Sequence, residues 1–497
     1  MPPAWPASSS PPKLRSASCP RTNRPAAACP AAWAAWAVWA AWTSKPSTTC
    51  QQAPSGAGRA ILRPRFFVLS PASRESHKSG SILLAFEGRC PLESRSPLER
   101  LMTAALADEG VQRALVSASD IAALADVGGA ILSRMGAACD RALLTSALRD
   151  ARIDAAPTHR LDTPPPRQWL PVQIYSEGSD LSVEWLHFAS APLVEPFFEQ
   201  SVARARALPA NRLLRCTTPL AALERLADEP MPDGFVFHMS RCGSTLVAQM
   251  LAALDRTVVV AEAPPFDFAL QLYLSGQVPA AVVRGMIGAL ARDRTGDIEH
   301  RFVKLDAWHT LALDPLALLF PAARRMFAFR DASEVIVSQM RRPGLHVVPG
   351  AIALDAFGVI GADRIAEDDY PAWVLDRICR AAADAASLDP TMLLLDYADL
   401  PGAVAQAILP HFRVTPSPRS LTAMAEASDR DTKTAGRKFT PDAANKRAEA
   451  DRVMAGRFAT ALAATIERLR NIIRASPGDC PTPPGSERAN VRVSFNF

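Results

Sequence analysis

The sequence predicts an α/β fold: a P-loop-type parallel β-sheet flanked by helices, with an N-terminal helical and β-hairpin extension and a disordered N-terminal tail. Three observations predict it. From residue 235 onward, five short apolar runs alternate with helical stretches, the pattern of a parallel sheet covered on both faces. The first run, Phe235–Met239, feeds into Ser240-Arg241-Cys242-Gly243-Ser244-Thr245 and then into an apolar helix, which is the architecture of a phosphate cradle. Residues 1 to about 100 are rich in Pro, Ser, Ala and Arg with few periodic apolar stretches. Such a composition buries too little surface to offset chain entropy.

The totals set bounds. A chain of 497 residues with 48% apolar content has material for two or three domains and a real core. A formal charge of +5 is small for that length and argues against a nucleic-acid-coating protein. The nine Cys are scattered without a CxxC pair or a His-Cys cluster, which favours reduced thiols in a cytoplasmic protein over a disulfide framework or a zinc site. No metal is expected from these residues.

Along the chain, residues 1–101 read as the low-complexity extension. Within it Trp33, Trp36, Trp39 and Trp42 are spaced by three in a run too short to span a bilayer, where ~20 apolar residues are needed. That run fits a signal-peptide core or an interfacial helix. The composition equally fits Met102 as the true start, with an over-extended reading frame before it. Residues 102–230 form the second region. Leu115, Ile121, Leu124, Val127, Ile131 and Leu132 recur at helical spacing, and Pro164–Pro166 mark a boundary. Val172–Tyr175 and Leu181–Trp185, separated by Glu177-Gly178-Ser179-Asp180, read as a β-hairpin. Phe197–Leu208 and Leu220–Leu226 read as helices.

Residues 231–475 hold the sheet, and 476–497 a tail. The strands are expected at Phe235–Met239, Thr257–Val260, Phe302–Leu305, Arg325–Phe329 and Met392–Leu395. Helices are expected at Leu246–Leu254, Ala280–Ala291, Glu334–Met340, Trp373–Ala386 and Asp451–Ile473. Ligands of such sheets bind beyond the carboxyl ends of the strands, where the Ser240–Thr245 loop sits.

The loop has the chemistry of an anion site. Gly243 lets backbone approach the ligand, the helix N-terminus offers unpaired N–H groups, Arg241 adds charge, and Ser244 and Thr245 add hydroxyls. It lacks the G-x-x-x-x-G-K-[ST] spacing and the Lys of a Walker A loop, which points away from ATP hydrolysis. The ordinary alternative is a helix N-cap.

A second segment, Arg324 to Ser338, reads as strand, sharp turn and helix, with Arg330 at the strand end and Ser338 eight residues later. With the loop upstream, this pair resembles the PAPS-dependent sulfotransferase family, on the side of its bacterial and tyrosylprotein branches. The resemblance covers about residues 230 to 475. It implies that Arg241, Cys242, Gly243, Ser244 and Thr245 hold the 5′-phosphosulfate of the donor PAPS, and that Arg330 and Ser338 hold its 3′-phosphate. A planar Arg fork suits phosphate oxygens. Leu394-Leu395-Asp396-Tyr397-Ala398-Asp399-Leu400 is similar to the family's late strand ending in Tyr-x-Asp-Leu.

The sequence departs from the family in places. Arg241 stands where many cytosolic members have Lys, Ala332 stands where Pro often follows Arg-Asp, and the Gly-x-x-Gly element near the C-terminus is absent. Arg437 and Lys438, with Lys433, are alternative ligands of the 3′-phosphate. The acceptor, a hydroxyl or amine on a small molecule, sugar or peptide, must lose a proton to a base. Glu262 lies just past the second strand and 21 residues after Arg241, as in tyrosylprotein-type members, and is the first choice. His309 is the reserve, and Lys304 is a contact for the sulfonate or the substrate. Each has a plain alternative: a solvated loop carboxylate, a structural His, a Lys at a strand end. Cys242 at a helix N-terminus also reads as a reactive thiol, but no base or resolving Cys accompanies it. The rival functions are an ATP-dependent P-loop phosphotransferase and a non-catalytic nucleotide-binding protein of the same fold. The Ala- and Arg-heavy composition suits a bacterial source.

Overall fold

The computed structural model describes residues 96–153, 157, 159–177, 180–429 and 456–475. The expectations for the tail before residue 96, for Lys433, Arg437 and Lys438, and for residues 476–497 lie outside them. Four helices come first: α1 (Pro97–Ala107), α2 (Glu109–Val116), α3 (Ile121–Arg134) and α4 (Arg141–Asp150). Each starts where an acceptor side chain takes up orphan backbone N–H groups. Ser96 forms a capping box with Glu99, and Asp108, Asp120 and Asp140 cap the other three. Their inner faces bury Leu101, Leu115, Leu124, Ile131, Leu132, Leu144 and Leu148.

The expected hairpin is present as β1 (Trp169–Glu177) and β2 (Asp180–His187), antiparallel, with Glu177 opposite Asp180. Helix α5 (Phe198–Arg206) follows. A third strand, β3 (Arg215–Pro219), then pairs antiparallel with β2. β3 was not foreseen, because Arg-Cys-Thr-Thr-Pro has no apolar alternation and ends in a strand-breaking residue. Pairing with β2 makes it a strand. Leu220–Leu226 is helical, as a 3-10 turn. It packs on the helix Ala280–Leu290 through Gly285, where a Cβ would lie 1.8 Å from the Leu223 carbonyl oxygen.

The larger sheet consists of β4 (Gly234–His238), β5 (Thr257–Ala261), β6 (His300–Lys304), β7 (Arg324–Phe329) and β8 (Leu393–Asp396). All are parallel in the order β5-β6-β4-β7-β8, so all five expected strands are present within two residues of their expected ends. β4 is central and every one of its residues is buried. The intervening helices are α6 (Ser244–Ala252), α7 (Pro264–Leu274), α8 (Ala280–Leu290), α9 (Leu313–Leu319), α10 (Ala332–Arg341), α11 (Tyr370–Leu388), α12 (Pro418–Ser428) and α13 (Arg457–Ala475). Helices α7, α9 and α12 were not foreseen. Pro264 and Pro265 open α7, where the missing N–H groups cost nothing.

Two buried arginines bind the chain before β1 and after β2 to the segment following α8. Arg292 Nη1 donates to the carbonyls of Pro165 (3.1 Å) and Pro166 (3.2 Å), under the Trp185 ring. Arg294 Nη1 donates to Ala191 (2.7 Å) and Ala189 (3.2 Å), beside Phe188. No helix among the described residues is long and apolar enough to cross a membrane.

Candidate active site

Each strand of the large sheet delivers a polar group to its carboxyl end. In sheet order these are Glu262 after β5, Lys304 at the end of β6, the Ser240–Thr245 loop after β4, Arg330 after β7 and Tyr397 after β8. Neighbouring strands are ~4.8 Å apart, so the row extends over roughly 20 Å.

The loop holds an unusual backbone. Ser240 (φ 75°), Arg241 (φ 54°) and Gly243 (φ 82°) are all left-handed. For two non-glycine residues this costs ~1–3 kcal/mol each and persists only because the surroundings impose it. Glu262 (φ 51°) shares the feature on the neighbouring turn. At Gly243 a Cβ would approach Leu400 Cδ1 to 2.7 Å and Tyr397 Cδ2 to 2.9 Å, so the position needs glycine for space as well as for φ. His238 fixes the turn. Its Nδ1 accepts from the Ser240 N–H (3.0 Å), which leaves Nε2 as the donor to the Leu305 carbonyl (2.8 Å). Burial lowers its pKa and keeps it neutral.

The loop's side chains divide. Ser244 and Thr245 begin α6, with Gly243 as its N-cap. Cys242 points the other way: it is wholly buried, its thiol donates to the Ala328 carbonyl (3.1 Å), and burial pushes it up to about 11. A thiol so placed is inert, and only the backbone of Cys242 faces a loop ligand. Arg241 Nη2 donates to the Arg342 carbonyl (2.7 Å). Gln339, buried on α10, donates to Ser240 Oγ (3.0 Å) and accepts from the Gly344 N–H (2.8 Å). Sequence reasoning missed Gln339, because nothing in its position along a helix marks a side chain that supports a loop from another strand.

On one side of the loop sits a charged centre. Lys304 Nζ, buried, donates to Glu262 Oε1, and His238 Nε2 lies 3.3 Å from the same oxygen. Burial alone would raise Glu262, but the Lys304 charge and the His238 hydrogen bond outweigh it and hold the carboxyl down to about 2. The Glu262 N–H donates to the Lys304 carbonyl (2.8 Å), extending the β5–β6 ladder by one bond. The Phe197 ring, just before α5, lies 5.2 Å from Lys304 Nζ. Glu199 on α5 is raised by the protein packed around it and by the Glu262 charge. The N-terminal region thus takes part in the site, through two residues that the sequence did not single out.

On the other side, Arg330 Nε donates to Glu334 Oε2 (2.6 Å), and its guanidinium lies 3.9 Å from the centre of the Tyr397 ring. Both members of the pair are buried. Glu334 is four residues after Arg330 and four before Ser338, so all three share one side of α10 and the turn before it. The Tyr397 ring touches Gly243 at one edge and Arg330 over its face, which joins the expected 5′ and 3′ sites. The sequence paired Arg330 with Ser338 but not with Glu334.

His309 is in a closed network. Its Nδ1 accepts from the Asp306 N–H (3.3 Å) and its Nε2 faces Asp267 Oδ1 (2.7 Å), which also accepts from Trp308 Nε1 (2.7 Å). Asp267, Asp306 and His309 could ligate a metal by distance, although two donors already occupy the Asp267 oxygen. Burial and repulsion from Glu262 and Asp267 push Asp306 well above the ordinary carboxylate range.

No protein-family model matches the chain, and no curated protein matches it. Among solved structures, the chain is similar to sulfotransferase STF9 from Mycobacterium avium, at 11% identity over 50% of this chain and 77% of that one, with a TM-score of 0.31. It is also similar to sulfotransferase STF1 from Mycobacterium tuberculosis H37Rv, at 15% identity over 48% of this chain and 86% of that one, with a TM-score of 0.26. Likeness at this level assigns no activity.

Proposed function

We propose that the chain is a PAPS-dependent sulfotransferase, moving a sulfuryl group to a hydroxyl or amine acceptor. One observation carries the reading: along the sheet edge, the Glu262 carboxylate and the buried Lys304 ammonium lie on one side of the Arg241-bearing turn and a second arginine, Arg330, on the other. Two separated arginines complement an adenosine bearing phosphates at both ends. PAPS would supply the activated sulfur, its S–O bond to the 5′-phosphate breaking as the acceptor's bond to sulfur forms.

The residues divide the work. The α6 N-terminus, the backbone of Cys242 and Gly243, the Ser244 and Thr245 hydroxyls and Arg241 neutralise the charge developing on the leaving 5′-phosphate. Arg330 and Ser338 take the 3′-phosphate, for which Glu334 must yield the guanidinium. Glu262 takes the acceptor proton. Held near 2, it is a weak base until Lys304 turns to the sulfuryl oxygens, and that transfer of Lys304 restores its basicity. The engagement of both His309 nitrogens favours Glu262 over His309 for this role. Phe197 and Glu199 place the N-terminal region beside the acceptor.

Thermal unfolding separates this from the rival nucleotide readings. A saturating ligand at 100 times its Kd stabilises the native state by ~2.7 kcal/mol. Adenosine 3′,5′-bisphosphate raises Tm by several degrees on this reading, and ATP with Mg²⁺ leaves it unmoved. The opposite ranking means a phosphotransferase, and no response to either leaves no nucleotide site.

A further inference from the structure

The helix α10 is tied near both ends to two consecutive residues of the turn after β4. At its start the Arg330 N–H donates to Met239 Sδ (3.2 Å), and near its end Gln339 Nε2 donates to Ser240 Oγ (3.0 Å). Gln339 is 1% exposed, and its Oε1 accepts from the Gly344 N–H (2.8 Å). Two residues before Gly344, the Arg342 carbonyl receives Arg241 Nη2 (2.7 Å). One buried amide therefore reaches the turn twice: its nitrogen directly at Ser240, and its oxygen through Gly344 and Arg342 to Arg241. Ser240 and Arg241 are the two non-glycine residues held left-handed there. Such a backbone persists only when its surroundings over-determine it. His238 holds the Ser240 N–H (3.0 Å), and Gln339 holds the Ser240 hydroxyl.

We infer that Gln339 is a positioning residue for the 5′ anion site, acting through Ser240 and Arg241 without touching the ligand. The inference rests on the proposed function and adds to it a residue that no sequence motif marks. Contacts made by backbone N–H groups and a guanidinium weaken steeply when their directions change, so the scaffold that aims them controls affinity. Without the amide, Ser240 and the Gly344 turn lose their shared anchor, and Arg241 loses the support of the carbonyl that aims it. Only a side chain that donates at one atom and accepts at another fills both bonds at once, as a neutral amide does. The start of α10 does not depend on this anchor. Arg330 keeps Glu334, the Tyr397 ring and Met239 as partners. A change at Gln339 therefore acts on one anion site and spares the other.

Calorimetry on the full chain would compare adenosine 5′-monophosphate and adenosine 3′-monophosphate with the native protein, Gln339→Met, Ser240→Ala and the double variant. Gln339→Met has a side chain of similar length without an N–H or a carbonyl. It should lose roughly tenfold in affinity for the 5′-monophosphate and keep its affinity for the 3′-monophosphate. Ser240→Ala should show the same split at or below that size. The double variant should lose no more than Gln339→Met alone, because both changes break one bond. Equal loss of both ligands, loss of neither, or losses that multiply in the double variant would overturn the inference. Retained binding of the 3′-monophosphate shows that a variant is folded. Should Gln339→Met not fold, the presence or absence of the split in Ser240→Ala decides alone. A native chain that binds neither monophosphate nor the bisphosphate means that the proposed function itself has failed, a result distinct from all of these.

Discussion

Arg330→Ala should lose most of the Tm rise that adenosine 3′,5′-bisphosphate gives the native chain, with affinity falling about tenfold to a hundredfold. The magnitude is that of charge-assisted hydrogen bonds to one phosphate. The same change takes the Arg330 guanidinium away from the buried Glu334 carboxylate, which lowers stability. A loss of binding in Arg330→Ala alone is therefore ambiguous between site and fold. The double variant Arg330→Ala with Glu334→Gln removes both buried charges, so it should regain stability while still failing to bind. Glu334→Gln alone should bind the bisphosphate more tightly than the native chain, because the carboxylate that competes for the guanidinium is gone. Full binding by the double variant would mean that Arg330 does not hold the 3′-phosphate.

Glu262→Gln should reduce turnover by ~10²–10⁴-fold, the usual contribution of a positioned base, and leave bisphosphate affinity intact. Turnover is read as labelled sulfate passing from donor to the acceptor fraction of a cell extract. Undiminished turnover in Glu262→Gln would remove the base role from this residue. The substitution also leaves the Lys304 ammonium without its counter-charge, at 1% exposure, a cost of ~3 kcal/mol. Retained bisphosphate binding shows that the variant is folded. The same pairing has a pH signature. A carboxyl whose pKa falls on folding gives stability that is complete above its unfolded value of ~4.3 and is lost as pH falls toward about 2. Acid unfolding of the native chain should therefore begin below pH ~4.3, and that part of the slope should vanish in Glu262→Gln.

The large sheet was legible because each of its strands carries a short buried apolar stretch, such as Phe235–Val236–Phe237 or Val258–Val259–Val260. The turn from β4 into α6 was legible for a similar reason: Gly243 and the hydroxyl residues after it mark a tight strand-to-helix turn within six residues. What the sequence hid is tertiary. β3 exists through its pairing with β2, and α7 through a Pro pair that opens a helix as readily as it continues a loop. The partners that decide charge at the site, Lys304 for Glu262 and Glu334 for Arg330, differ in this respect. Glu334 lay one helical turn from Arg330 and was open to a spacing argument. Lys304 meets Glu262 across two strands 42 residues apart, which no local pattern encodes. The same holds for Phe197, whose ring meets Lys304 from 107 residues earlier in the chain.

Two anion sites joined through Tyr397 are the core of this account, and a calorimetric comparison of three nucleotides with the native chain tests them most directly. On the proposed function, adenosine 3′,5′-bisphosphate engages both sites, whereas adenosine 5′-monophosphate and adenosine 3′-monophosphate each engage one. The bisphosphate should bind at least tenfold more tightly than either monophosphate. Equal affinities for all three, or preference for the 5′-monophosphate, would contradict it.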